Sequence, residues 1–140
     1  MTSPTFLTRV ALKNFKSLAA CDVRLGPLTF LVGPNGAGKS NFLDALRFVT
    51  DSLRTSLEHA LRERGGINDV RRRSGGHPNN FGLRLWFALS SGQVGHYAFR
   101  IGARPQGGFD VQEEECRIGS AEALGEVQYF RVESGQVAET

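Results

Sequence analysis

Gly33-Pro34-Asn35-Gly36-Ala37-Gly38-Lys39-Ser40 matches the phosphate-binding pattern G-x-x-x-x-G-K-[S/T] at every fixed position. The apolar run before it, Leu28-Thr29-Phe30-Leu31-Val32, reads as a buried strand, and Asn41-Phe42-Leu43-Asp44-Ala45-Leu46 after it reads as a helix. Strand, glycine-rich loop and helix in that order are the setting the pattern requires. A triphosphate concentrates several negative charges, and a loop holds it by converging successive backbone N–H groups on one point. That convergence uses backbone angles most side chains resist, which accounts for glycine at Gly33, Gly36 and Gly38. The helix starting near Gly38 adds unpaired N–H groups and the positive end of its dipole. Lys39 is placed to reach the β- and γ-phosphates, and Ser40 to offer its hydroxyl to Mg²⁺. The expected ligand is a nucleoside triphosphate with magnesium. The competing reading is a glycine-rich turn that binds nothing; the flanking strand and helix weigh against it.

At 140 residues the chain is one domain with enough apolar content for a core. No apolar run approaches the roughly 20 residues of a membrane span. Met1-Thr2-Ser3-Pro4 does not open a signal peptide, and the widely separated Cys21 and Cys116 read as reduced thiols, so a cytoplasmic protein is expected. His59, His77 and His96 lack ligand spacing and read as ordinary polar residues. Charge is uneven: residues 1–104 carry 15 Lys and Arg against 6 Asp and Glu, whereas residues 105–140 carry 2 against 8. A polyanion-facing front with a partner-facing tail is one reading, and a solvated mixed surface is the other.

The remaining pattern is mostly β. Phe6 to Phe15 alternates as a strand with Phe6, Thr8, Val10 and Leu12 on one face, and Cys21–Leu25 reads as a short second strand. A long helix is predicted from about Lys39 to about Arg62, with Phe42, Leu46, Val49, Leu53, Leu57 and Leu61 as its apolar stripe and Gly65-Gly66 as its stop. Residues 67–80 read as a loop around Arg71-Arg72-Arg73. Four strands follow at Phe81–Leu89, Gln93–Ile101, Phe109–Cys116 and Gly125–Val132, with hairpin turns at Ser90-Ser91-Gly92 and Pro105-Gln106-Gly107-Gly108. The domain is placed at residues 1–134 and a flexible tail at 135–140. Small GTPases and nucleotide kinases alternate strand and helix, and this order does not.

Leu12-Lys13-Asn14-Phe15-Lys16-Ser17-Leu18, followed at this distance by Leu28 to Asn41, resembles the N-terminus of ABC-type ATPase heads: the SMC, RecF and OLD-like families. Those heads carry an N-F-[K/R]-S strand and then G-x-N-G-[A/S]-G-K-S-[N/S]. The resemblance spans about residues 6–117. It implies an α/β (α+β) P-loop NTPase fold, an ABC-ATPase-like N-terminal lobe with antiparallel strands and one long P-loop helix. It also implies a nucleotide site of Lys16, Ser17, Asn35, Gly36, Ala37, Gly38, Lys39, Ser40 and Asn41, with Ser40 on the metal. Such heads are completed by a segment bearing the signature motif and a Walker B Asp-Glu, and two heads sandwich two ATP molecules.

No apolar run here ends in Asp-Glu: Trp86-Phe87-Ala88-Leu89 leads to Ser90, and Gln128-Tyr129-Phe130 to Arg131. The magnesium-orienting aspartate and water-activating glutamate are therefore missing from the sequence, and no catalytic residue is assigned. Ser74-Gly75-Gly76 matches part of an ABC signature by chance, and Gln93 and Gln112 are unsupported candidates for a Q-loop glutamine. The expectation is an ATP-binding portion, a fragment or one half of a split enzyme, working with a missing half or second head in a DNA-related process, with DNA a candidate partner and no membrane. The alternatives are a non-catalytic ATP-regulated binding module and, third, a small GTPase or kinase.

Overall fold

The computed structural model describes residues 6–71, 80–120, 127–133 and 136–139. Strands β1 (Phe6–Phe15) and β2 (Leu18–Arg24) come first, then helices α1 (Lys39–Arg54), α2 (Leu57–Glu63) and α3 (Ile67–Val70). Strands β3 (Asn80–Ala88), β4 (Gln93–Ala103), β5 (Phe109–Ser120), β6 (Gln128–Glu133) and β7 (Gln136–Glu139) complete the order. All seven join in one antiparallel sheet, β2-β1-β3-β4-β5-β6-β7. The backbone of Gln136–Glu139, which the sequence pattern leaves in the tail, pairs with β6.

One face of the sheet meets the helices. Cross-strand partners Val10 and Leu85, Leu12 and Leu83, Leu83 and Phe99, and Phe81 and Ile101 are all buried, as period-2 alternation requires. Onto them α1 lays Phe42, Ala45, Phe48 and Val49. Phe48 is the hub, with ring centroids 6.3 Å from Phe15, 5.7 Å from Phe81 and 6.1 Å from Phe99. These tilted and edge-on pairs add to the apolar area removed from water. The predicted stripe is corrected in part: Leu53 is 72% exposed, and Ala45 and Phe48 take the buried face.

The single long helix is also corrected. It breaks at Thr55–Ser56, where the Thr55 amide and hydroxyl both close on Asp51 O and Ser56 Oγ accepts from the His59 amide as a new N-cap. The second helix ends where predicted. Gly65 donates to Arg62 O and Gly66 to Leu61 O, with Gly65 at φ 91°, the paired bonds of a Schellman stop. Residues 67–70, expected as loop, form α3 and bury Ile67 and Val70.

The strand expected at Leu28–Val32 does not form. The segment belongs to no strand, and Leu28, Phe30 and Val32 are 76%, 79% and 91% exposed. An apolar run of β-formers stays out of a ladder when no strand lies beside it, since its period selects a strand but cannot supply the partner.

Part of the uneven charge is neutralised within the sheet. Acidic residues of β5 and its turn pair with cations of the basic front, Asp110 with Arg104, Glu113 with Arg100 and Glu115 with Arg84, and Glu115 also bonds His96.

Candidate phosphate-binding site

Residues 33–38 form the loop that opens α1. Gly36 and Gly38 hold φ 85° and 103°, in the left-handed region that L side chains avoid. Gly33 is not in that region; its need for a small residue is a close approach, because a Cβ there would lie 3.3 Å from Ala37 Cβ. Gly38 is the N-cap of α1 and offers no side chain to its first turn, which carries no acidic residue. The first-turn N–H donors therefore receive no side-chain cap from Gly38. Lys39 folds back so that Nζ donates to Gly33 O, which brings its ammonium across the loop. Ser40, the second helical residue, is exposed. Asn35, Gly36 and Ala37 are exposed along the loop.

The turn between β1 and β2 packs against this start. Asn41 Nδ2 donates to Ser17 Oγ at 2.5 Å, and Leu18 Cδ2 lies 2.7 Å from where a Cβ on Gly38 would stand. Ser17 and Asn41, predicted separately, are thus brought together. Lys16 takes φ 48° and Asn14 φ 56°, left-handed values uncommon outside glycine, on either side of buried Phe15. The Lys16 amide donates to Val70 O at 2.6 Å, which fixes the turn against the end of α3.

Two residues that sequence reasoning missed tie this region together. Asp44, one turn into α1, receives Lys16 Nζ at 2.7 Å and Arg64 at 3.3 Å. Arg64 also reaches Asp51 at 2.9 Å and the Ala60 carbonyl at 3.1 Å, and its guanidinium lies 5.4 Å from the centre of the Phe48 ring. Burial opposes the charge on Asp44, but hydrogen bonds from Lys16 and Arg64 outweigh it and hold the carboxyl below its usual range. The position of Asp44 one helical turn beyond Ser40 is a legible signal for its proximity to the loop; its pairing with Arg64 is not.

Other candidates fall elsewhere. Gln93 opens β4 and bonds Ser91, while Gln112 lies on β5 and bonds Asn80. Arg71 bonds Asn68 and bridges Phe15; Arg72, Arg73 and Ser74-Gly75-Gly76 lie outside the described residues. His59 pairs with Glu63 and His96 with Glu115. Cys21 and Cys116 are free thiols, both pushed up by burial. A cavity of about 600 Å³ on the sheet face opposite the helices is lined by Ala11, Lys13, Gly82, Arg84, Trp86 and Arg100, and shares no residue with the loop.

The RecF/RecN/SMC N-terminal domain model matches residues 6–90, more than half of the chain and the whole of the turn, loop and helix just described. The chain belongs to this family. Structural maintenance of chromosomes protein 1 of Schizosaccharomyces pombe is 30% identical over 132 residues, covering 87% of this chain and 10% of that protein. The OLD nuclease of Thermus scotoductus is 49% identical over 51 residues, 36% of this chain and 10% of that protein. The chain thus spans about a tenth of the length of either relative. A solved structure from work on ATP-driven dimerization and DNA-stimulated activation of SMC ATPases shares 24% identity at a TM-score of 0.52. It covers 76% of this chain and 68% of its own, a likeness of fold alone. The ABC-type N-terminal lobe with an antiparallel sheet is therefore the fold of this RecF/RecN/SMC member. Among the described residues, no helix is long and apolar enough to cross a membrane.

Proposed function

We propose that this chain is the ATP-binding N-terminal part of an ABC-type ATPase head of the RecF/RecN/SMC family, working in a DNA-related process. The observation that carries the reading is the uncapped start of α1. Its free N–H donors, the left-handed Gly36 and Gly38 and the Lys39 ammonium all face one loop, an arrangement suited to a triphosphate. Backbone amides of the loop and of the first turn of α1 would hold the phosphates, Lys39 would neutralise the terminal ones, and Ser40 would ligate Mg²⁺. Lys16, Ser17 and Asn41 border the same space. Magnesium, when bound, supplies charge neutralisation between phosphates; this chain's residues supply binding and orientation.

The exposed run Leu28–Val32 supports the incomplete character of the head. It has the composition of a core strand and lacks the ladder that would cover it. A second segment bearing Walker B and signature residues supplies that ladder together with the missing aspartate and glutamate. Two completed heads then dimerize around ATP, as ATP-driven dimerization in the SMC ATPase likeness suggests, and DNA is the partner of the complete protein. Alone, the chain binds nucleotide weakly and hydrolyses little. The second reading, a non-catalytic ATP-regulated module, differs in showing no turnover even with its partner segment.

Calorimetric titration with MgATP tests the proposal. Lys39→Ala is expected to abolish binding while leaving the circular dichroism spectrum and melting curve unchanged. Unchanged affinity in that variant overturns the phosphate-cradle assignment.

A further inference from the structure

One carboxylate stands between two cations that approach from different parts of the fold. Asp44 meets Lys16, on the turn that packs against the phosphate loop, and Arg64, the C-cap of α2 just before the Gly65-Gly66 stop. The partition is unequal. Lys16 Nζ sits at 2.7 Å, whereas both Arg64 contacts are stretched to 3.3 and 3.4 Å. The same two sites are linked a second time through the backbone, because the Lys16 amide donates to Val70 O at the far end of α3. Lys16 is therefore anchored to both ends of residues 64–70, by its side chain through Asp44 and by its main chain directly.

We propose that Asp44 is a positioning residue that relays occupancy of the phosphate loop to the α2–α3 junction; this rests on the nucleotide reading above. The physical basis is competition for one ammonium. A triphosphate carries several charges against the single charge of Asp44, and Coulomb attraction scales with that charge. When the phosphates draw Lys16 toward the loop, the carboxylate is released to Arg64 alone. The stretched Arg64 contacts then close, and the segment from Ala60 to Gly66 is held more firmly. Arg64 transmits the change because its side chain is 11% exposed, stacked near Phe48 and bonded to the Ala60 carbonyl of its own helix. The left-handed backbone at Lys16 keeps its side chain aimed at α1 instead of solvent.

Amide hydrogen exchange of the 140-residue chain over residues 60–66, with and without MgATP, tests the relay. Tightening of the existing Asp44–Arg64 contact predicts exchange about twofold slower when MgATP is bound. Asp44→Asn is expected to bind MgATP yet lose that slowing. Asp51→Asn removes the other carboxylate on Arg64 without touching Lys16, so it lowers protection overall but keeps the response to nucleotide. Lys16→Gln, with no nucleotide present, is expected to reproduce the slowing by itself. Wild-type slowing retained in Asp44→Asn overturns the proposal, and so does unchanged exchange in nucleotide-free Lys16→Gln. Failure of the wild type and of every variant to bind MgATP removes the nucleotide reading and the relay with it, whereas unchanged exchange in Lys16→Gln beside intact MgATP binding removes the relay alone.

Discussion

Leu18 occupies the space that a side chain on Gly38 would need: an ideal Cβ there falls 2.7 Å from Leu18 Cδ2. The β1–β2 turn is thus packed directly onto the N-cap of the P-loop helix. Gly38 is constrained twice, by this contact and by its φ of 103°. Gly36 is constrained once, since it holds φ 85° with nothing within 4 Å.

The two glycines therefore separate backbone strain from packing. Gly36→Ala is expected to cost about 1–2 kcal/mol, the left-handed penalty alone. Gly38→Ala is expected to cost at least about 1 kcal/mol more, because Leu18 must also move. Urea denaturation of both variants measures the difference. Equal losses would show that Leu18 yields freely and that the turn is not seated on the loop.

Phe48 was invisible as a hub in the sequence because the stripe through Leu46, Val49 and Leu53 satisfies helical spacing equally well. The fold places its ring among Phe15, Phe81 and Phe99 and under Arg64. Phe48→Ala is expected to destabilise by about 3–5 kcal/mol. Leu53→Ala, on an exposed position of the same helix, should change stability by less than about 0.5 kcal/mol. Thermal melts that rank the two the other way would overturn the packing assignment.

What could be read beforehand was local. The octapeptide 33–40, the alternation of β1 from Val10 onward and of β3 to β5, the hairpin glycines and the Gly65-Gly66 stop each act through nearest neighbours along the chain; the bulge between Leu7 and Arg9 breaks the predicted face of β1, so that Leu7 packs on the core and Phe6 is exposed. The break at Ser56 was hidden because Leu53, Leu57 and Leu61 continue the apolar period across it; the Ser56 cap on His59 was the missed signal. Leu28–Val32 misled for the opposite reason. Its composition is that of a core strand, but a strand requires a neighbour that no local pattern reveals. The Lys16–Asp44–Arg64 bridge joins residues distant in sequence and could not be read from spacing.

Stability toward acid should depend on Asp44. Its carboxyl is held below the usual range in the folded chain, so its contribution is fully present above the unfolded carboxylate value of about 3.9 and is lost as pH falls through the depressed folded value. Melting temperature measured from pH 7 down to pH 3 should fall less steeply for Asp44→Asn than for the wild type. Asp22 and Asp110, held low by their hydrogen bonds to Arg9 and Arg104, act with the same sign and leave a residual slope in the variant. Parallel curves for the two proteins would remove Asp44 from the acid transition.

The exposed run Leu28–Val32 bears most directly on the proposed pairing with a second segment. Phe30 and Val32 are 79% and 91% exposed, and each would be expected inside a core by composition. Adjacent apolar groups left in water promote association between chains. Replacing both with serine should leave the urea midpoint of this chain unchanged, within about 0.5 kcal/mol of stability, because no packing is removed. The same double variant should bind less of a hydrophobic dye and stay monomeric at higher concentration. When a segment carrying the Walker B strand is supplied in trans, the relation reverses: the wild-type chain should pair with it, and the serine variant should not. A large loss of stability in the isolated double variant would mean that Phe30 and Val32 are already buried within this chain, and the run would then lose its role as the strand that awaits a sheet.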